Sequence, residues 1–279
     1  MFKIKAQRSI AAPLGSYYDD FNMLDKYNNI FVIADGVGSY PAADEASSIT
    51  CNGAYCFLRK STAHFKNGII PEEKILDHIK IGIEHANEVL YTLSENIDWF
   101  YEKRNEFSEK KRAGSTLDIC YLFNNHAYIG HVGDSSVYLL RGNDLVNLTA
   151  EQEYESEDEG LEKLKALTGE KSLNAFVGEN KKVDPLLKKV QIQENDIILM
   201  TTDGLTKLLY DEEIKEILQK SDFANSADEL AKAARNPRKV AEYISKRKNE
   251  NLSDVLQSIV GRDSITIIAI KVEGYENGR

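Results

Sequence analysis

The sequence has few cysteines and no long hydrophobic run. Residues 1–8 are interrupted by charges, so they do not resemble the apolar core of a secretory signal peptide. No apolar run approaches the roughly 18 residues of a membrane helix. The three cysteines, Cys51, Cys56 and Cys120, form no C-x-x-C pair, which disfavours a disulfide framework and a structural zinc site. We therefore expect a cytoplasmic protein.

Basic residues are also in short supply. The chain has 35 Lys and Arg against 45 Asp and Glu, which gives a formal net charge of −10. Binding to a nucleic-acid backbone or to an anionic membrane needs clustered Lys and Arg. We therefore expect neither nucleic acid nor membrane as a partner. The excess of carboxylates leaves open a site that gathers them around cations.

Strand-like and helix-like patterns alternate along the 279 residues without a low-complexity linker or an obvious repeat. This arrangement predicts one domain, residues 1–279, of the α+β class with antiparallel sheets. An acidic segment at 151–170 is expected to be a surface excursion. The predicted strands are 2–8, 30–34, 117–123, 126–132, 136–141, 196–202 and 264–272, and the predicted helices are 42–60, 72–98, 211–220 and 238–249.

Three aspartates share one local design, because each lies at the end of a strongly apolar strand and close to glycine. They are Asp35 before Gly36, Asp203 before Gly204, and Asp263, which lies just after Gly261 and before a strand. Asp-Gly is also a common turn dipeptide, so any one instance is compatible with a simple turn. If these carboxylates converge, they repel one another unless a cation neutralises them. Oxygen ligands alone favour a hard cation, Mg²⁺ or Mn²⁺.

The order of these segments resembles the protein phosphatase 2C family of metal-dependent serine/threonine phosphatases, and the resemblance spans almost the whole chain. The family's Asp-Gly-Met-Gly-Gly is matched by Asp35-Gly36-Val37-Gly38-Ser39, its Gly-Thr-Thr by Gly114-Ser115-Thr116, its Val-Gly-Asp-Ser-Arg by Val132-Gly133-Asp134-Ser135-Ser136, its Ser-Asp-Gly-Leu-Thr-Asp by Thr202-Asp203-Gly204-Leu205-Thr206-Lys207, and its Asp-Asn-Ile-Thr by Asp263-Ser264-Ile265-Thr266. Each motif alone is weak, but the ordered set is specific.

The resemblance implies a set of metal ligands. Asp35 would bridge two ions of Mg²⁺ or Mn²⁺, and the backbone carbonyl of Gly36 would add a ligand to one of them. Asp203 and Asp263 would bind the other ion, and Asp134 would help to hold a third, weaker one. It also implies a four-layer αββα sandwich, with a variable flap beside the site at about 151–172.

Two positions near the N-terminus depart from the family's pattern. The family's early Asn-Glu-Asp is degraded to Tyr17-Tyr18-Asp19-Asp20, where the register favours Asp19 as the residue that orients a metal-bound water and leaves Asp20 as the alternative. The family usually has a phosphate-binding arginine shortly before this aspartate, and Leu14 stands at the matching offset. Arg8 lies further back, and it is either the replacement or an ordinary charge at a strand end.

Two functions from different classes follow from the resemblance. The first is hydrolysis of phosphoserine and phosphothreonine in proteins by direct attack of a metal-bridging hydroxide. The second is a pseudophosphatase that binds phosphoproteins or regulatory partners without catalysis. The compact chain resembles the bacterial soluble form, which commonly reverses a serine/threonine kinase. We expect a monomer whose partners are phosphorylated proteins and such a kinase or its targets.

Overall fold

The computed structural model describes residues 2–11, 18–38, 40, 42–96, 112–150, 176–236, 238–239 and 263–275. Ten strands in these ranges form two five-stranded sheets. The strands are β1 (Phe2–Ala11), β2 (Asp20–Asp25), β3 (Ile30–Asp35), β4 (Leu117–Phe123), β5 (His126–Val132), β6 (Ser136–Arg141), β7 (Asp144–Asn147), β8 (Leu186–Gln191), β9 (Ile197–Thr201) and β10 (Ile265–Tyr275). The first sheet has the order β1-β10-β9-β6-β7 and the second β2-β3-β4-β5-β8. Neighbouring strands are antiparallel throughout.

Helices cover the outer face of each sheet. The helices are α1 (Ala43–Lys66), α2 (Ile75–Asn96), α3 (Asp203–Thr206), α4 (Asp211–Lys220) and α5 (Ser226–Ala234), with 3₁₀ turns at Glu72–Lys74 and Phe223–Asn225. The apolar faces of α1 and α2 pack on the second sheet, and those of α4 and α5 pack on the first. No helix within the described ranges is long and apolar enough to cross a membrane.

A third apolar cluster fills the space between the two sheets. It includes Phe31 and Ile33 from β3 and Ile268 and Ile270 from β10, all of them fully buried. These strands therefore bury both faces, which explains their continuous apolar runs. The α+β sandwich of two antiparallel sheets between helical layers that the sequence predicts is confirmed.

Most predicted elements lie within a few residues of the observed ones, but strands β2, β7 and β8 and helices α3 and α5 were not predicted. Strand β2 lacks the hydrophobic pattern that predicts a strand, because its most buried residues, Asp20 and Asn22, are polar. Strand β7 has only four residues, and β8 contains Lys188 and Lys189 in its centre. The predicted helix at 238–249, apart from 238–239, and the predicted flap at 151–172 lie outside the described residues.

Gly130 on β5 lies tightly against helix α2. A Cβ atom at this position would lie 2.4 Å from Ile79 Cγ2 and 2.8 Å from Ile83 Cδ1. We expect Gly130→Ala to lower the free energy of unfolding by about 1–3 kcal/mol, because the added methyl overpacks this contact. Chemical denaturation measures the change.

Gly53→Ala is the matched control. Gly53 lies inside α1, and its added Cβ would meet Ala86 at an ordinary 3.5 Å. Because alanine is the better helix former, we expect this variant to be neutral or more stable by about 0.5–1 kcal/mol. Equal destabilisation by the two substitutions would contradict the packing argument.

Candidate metal centre

Three strand ends bring three carboxylates together at one edge of the sandwich. Asp35 is the last residue of β3, Asp203 follows β9 at the start of α3, and Asp263 precedes β10. One carboxylate oxygen from each lies within 4.8 Å of the others. Because β9 and β10 are antiparallel, the end of one adjoins the start of the other. Chain topology thus assembles residues that are up to 228 positions apart in the numbering.

Two glycines permit the close backbone approach that positions these aspartates. A Cβ atom on Gly36 would lie 2.0 Å from the carbonyl oxygen of Ala43, and one on Gly204 would lie 2.1 Å from that of Ser264. Both distances are far below van der Waals contact, so only glycine fits. The Gly36 amide also donates to the carbonyl of Asp19 at 3.0 Å. The Asp-Gly pairs are therefore packing requirements of the site as well as turns.

Hydroxyl groups fix the backbone around Asp35. The Asp35 amide donates to Thr116 Oγ1 at 2.9 Å, and the Thr116 amide donates to the Asp35 carbonyl at 2.8 Å. Thr116 Oγ1 also lies 2.9 Å from Ser135 Oγ. This network joins the Asp35 strand end to the segment that carries Asp134.

Asp19 and Asp20 lie beside the cluster but in different surroundings. Asp20 is only 2% exposed and pairs across the strands with Asp35, and Thr202 Oγ1 donates to its Oδ2 at 3.0 Å. Asp19 is partly exposed, and Asp44 and Asp263 act on its charge. Asp20 therefore faces the buried side of the cluster, whereas Asp19 is open to solvent.

Burial and mutual repulsion raise the pKa values of these carboxyls. Burial raises the pKa of Asp35 well above its usual range, and the charges of Asp20, Asp203, Asp263 and Asp134 raise it further. Burial is also the main cause that raises the pKa of Asp20 to about 7 and that of Asp19 to about 6. The site therefore holds more negative charge than its own surroundings stabilise.

Asp134 lies next to the cluster, after β5, in a turn where Gly133 adopts a φ of 117°. Burial raises the pKa of Asp134, and the charges of Lys207 and His131 partly offset this rise. His131 itself is buried, with its Nδ1 2.6 Å from Asp118 Oδ1. Sequence reasoning did not identify this buried Asp–His pair.

Arg8 lies outside this cluster of carboxylates, on β1. Its side chain is exposed, and Nη1 donates to Asn22 Oδ1 on β2 at 3.1 Å. Its charge acts on Tyr18, whose hydroxyl is hydrogen-bonded to Thr266 Oγ1. Arg8 therefore bridges the two sheets at their edge strands, β1 and β2.

Sequence reasoning missed Lys207 as a member of the site. Its Nζ lies 2.5 Å from Asp203 Oδ2 and 2.9 Å from Asp263 Oδ2. The sequence did contain a signal for this contact. Lys207 lies four residues after Asp203, and side chains four residues apart are neighbours on a helix.

The donor set fits a divalent cation. The carboxylate oxygens are hard ligands of the kind that Mg²⁺ and Mn²⁺ prefer. Within the described part of the chain, Asp20 Oδ1 and Asp203 Oδ1 are buried without a hydrogen-bond donor. Such atoms are costly to bury unless something else satisfies them. Asp35, Asp203, Asp263 and the Gly36 carbonyl are the groups that would hold an ion.

The two-sheet sandwich holds clustered carboxylates at one edge, and comparisons with known proteins identify its family. A sequence model of protein phosphatase 2C matches residues 17–257. This match covers most of the chain, which therefore belongs to the protein phosphatase 2C family, a class of protein serine/threonine phosphatases.

Individual relatives are similar to this chain at low identity. The serine/threonine phosphatase stp of Listeria welshimeri is 26% identical over 265 residues, which cover 90% of this chain and 87% of the relative. Protein phosphatase PhpP of Streptococcus pneumoniae is 24% identical over 192 residues, 62% of this chain and 76% of the relative. The catalytic domain of the phosphatase PstP in complex with two manganese ions superposes with a TM-score of 0.65 at 20% identity, covering 97% of this chain and 98% of that one. This likeness shows the shared fold.

The raised pKa values predict that the metal-free protein is more stable in mild acid. The folded-state pKa values of Asp19, Asp20 and Asp263, about 6 to 7, exceed the ordinary value near 4, so protons bind the folded state more tightly. Stability is therefore highest below these values and falls as pH rises through them. For one of the buried groups, Asp20 or Asp263, the loss between about pH 5.5 and about pH 7.5 is roughly 1–2 kcal/mol. The partly exposed Asp19 contributes less, because solvent screens its charge.

Thermal melts in EDTA across that pH window measure the effect. Asp20→Asn should flatten the profile, because the amide oxygen can still accept from Thr202 but no longer titrates. Saturating Mn²⁺ should flatten it as well, since the ionised carboxylates are then neutralised. A metal-free protein that becomes steadily less stable between pH 7.5 and 5.5 would contradict this account.

Proposed function

We propose that this chain is an active metal-dependent phosphatase that hydrolyses phosphoserine and phosphothreonine in proteins. The observation that carries the proposal is the convergence of Asp35, Asp203 and Asp263 within 4.8 Å at the end of three separate segments. Membership of the protein phosphatase 2C family supports the same reaction. The alternative of a non-catalytic pseudophosphatase is not favoured, because the ligand set is complete.

We assign roles to the residues of the site as follows. Asp35 would bridge two ions, with the Gly36 carbonyl as a further ligand of one and with Asp203 and Asp263 as ligands of the other. Asp134 would take part in holding a third. The chemistry that Mg²⁺ or Mn²⁺ would supply at these residues is a lowered pKa of water, which provides the nucleophile, and neutralisation of charge on the phosphoryl oxygens.

One of the two neighbouring carboxylates near the N-terminus, Asp19 or Asp20, would orient the attacking water. Asp19 is the candidate that the sequence register favours, and its partial exposure gives it access to solvent and substrate. Asp20 is held by Thr202 and pairs with Asp35, so it is better placed to fix the position of Asp35. We therefore retain Asp19 as the water-orienting residue and assign Asp20 a positioning role.

For the extent of the domain, the compartment, the oligomeric state and the partners, we keep the expectations from the sequence as proposals. We propose a single catalytic domain over 1–279 that acts in the cytoplasm as a monomer on phosphorylated proteins. A serine/threonine kinase would be the enzyme whose products it reverses, because hydrolysis of these phosphoesters consumes what such a kinase makes.

Removal of one metal ligand tests the proposal. In Mn²⁺, the purified protein should hydrolyse p-nitrophenyl phosphate and a phosphothreonine peptide, and Asp203→Asn should lower kcat on the order of 10²-fold or more. Asp77→Asn is the matched control, since Asp77 is exposed and paired with Lys74 on the far helix α2. Full activity after dialysis against EDTA would contradict the metal-dependent reaction.

A second variant tests Arg8 as the phosphate-binding group. Arg8→Ala should raise KM for a phosphothreonine peptide about 10- to 100-fold, the range expected for losing a charged hydrogen-bond donor. Arg8→Lys should recover part of the loss, because an ammonium lacks the bidentate geometry of guanidinium. Unchanged KM in Arg8→Ala would show that Arg8 is an ordinary surface charge.

A further inference from the structure

Lys207 places a cation inside the carboxylate cluster. Its Nζ contacts Asp203 Oδ2 at 2.5 Å and Asp263 Oδ2 at 2.9 Å. These are two of the three residues whose oxygens converge. The same ammonium also acts on Asp134. One side chain therefore contacts two of the carboxylates that the proposed function assigns to metal ions, and its charge also acts on a third.

The backbone fixes Lys207 in this position. The Lys207 amide donates to the Asp203 carbonyl at 2.8 Å, which continues the turn of α3, and the Leu208 amide donates to the Leu205 carbonyl at 3.0 Å. Leu205 and Leu208 on the same turn are buried in the cluster under α4 and α5. Because the turn is anchored on both sides, the ammonium is directed at the cluster by the fold.

The ammonium and a divalent ion would share the same carboxylates. Lys207 contacts Oδ2 of Asp203 and of Asp263, whereas Asp203 Oδ1 is buried without a hydrogen-bond donor. An ion held by these carboxylates would lie within a few ångströms of the ammonium, and the two like charges would repel. Lysine at this position contrasts with the aspartate that ends the family's Ser-Asp-Gly-Leu-Thr-Asp motif, so the chain carries a positive charge where the motif has a negative one.

We propose that Lys207 is a built-in counter-cation of the site, which stabilises the metal-free protein and lowers the affinity of Asp203 and Asp263 for a divalent ion. The inference rests on the metal site of the proposed function and adds a determinant of its metal affinity. Its consequence is a protein that tolerates the loss of metal and that requires more metal for occupancy.

The test compares Lys207→Met with the wild type by calorimetric titration with Mn²⁺ and by thermal melts in EDTA and in Mn²⁺. Methionine keeps the length of the side chain and removes its charge. Lys207→Met should bind Mn²⁺ about tenfold or more tightly, as expected for removing a like charge within a few ångströms. It should also melt at a lower temperature in EDTA and gain more from Mn²⁺ than the wild type does.

Two controls separate this role from simple packing. Lys207→Arg keeps the charge and should retain the wild-type Mn²⁺ affinity. Lys232→Met removes an exposed lysine that pairs with Glu229 on α5, and it should change neither property. A purely structural lysine would lower the melting temperature of Lys207→Met equally with and without Mn²⁺ and leave the Mn²⁺ affinity unchanged. That result would overturn the inference.

The remaining outcomes are also decisive. If Lys207→Met does not fold in EDTA, it should fold when Mn²⁺ is added. If it fails to fold with Mn²⁺ and Lys207→Gln binds Mn²⁺ with the wild-type affinity, the inference is overturned. Equal Mn²⁺ affinity in the folded variant and the wild type would overturn the role of Lys207 and leave the metal site standing. Absence of Mn²⁺ binding at millimolar concentration in both proteins would overturn the metal site and this inference together.

Discussion

Mutual repulsion among carboxylates held at one edge of the sandwich is the constraint on which the rest of this structure depends. Asp35, Asp203 and Asp263 have oxygens within 4.8 Å of one another, and their burial raises the pKa of each. Separate surface acids would simply turn towards water. Here the sheets and the backbone around each residue keep them together, so the free energy of folding has to offset the repulsion.

Backbone packing and the buried apolar layers hold the carboxylates together against this repulsion. Gly36 lies against the Ala43 carbonyl and Gly204 against the Ser264 carbonyl, so a side chain at either glycine would push the strand ends apart. Threonine hydroxyls supply the remaining constraints, because Thr116 binds the Asp35 amide and Thr202 binds Asp20. The buried cluster between the sheets makes these strand ends rigid. The carboxylates are thus preorganised before any ion arrives, which is a requirement for electrostatic catalysis.

The parts of the site that could be predicted from sequence are those with a local signature. Each of the three aspartates, Asp35, Asp203 and Asp263, marks an abrupt change between an apolar strand and a carboxylate near glycine. The adjoining strands are buried on both faces, and the sequence shows them as continuous apolar runs. Asp20 has no such signature, since the buried face of β2 is polar and the strand follows a segment without periodicity. Lys207 is equally hidden. Its contact with Asp203 is local, but its contact with Asp263 joins residues 56 positions apart and depends on the pairing of β9 with β10.

The net charge of −10 therefore says little about the field inside the site. That field depends on which cations the fold places against the cluster, and Lys207 is one that the chain supplies for itself. A lysine so placed lowers the electrostatic cost of the metal-free state, and it raises the cost of bringing a second cation to the same carboxylates. Stability without metal and affinity for metal are thus opposed through one ammonium group.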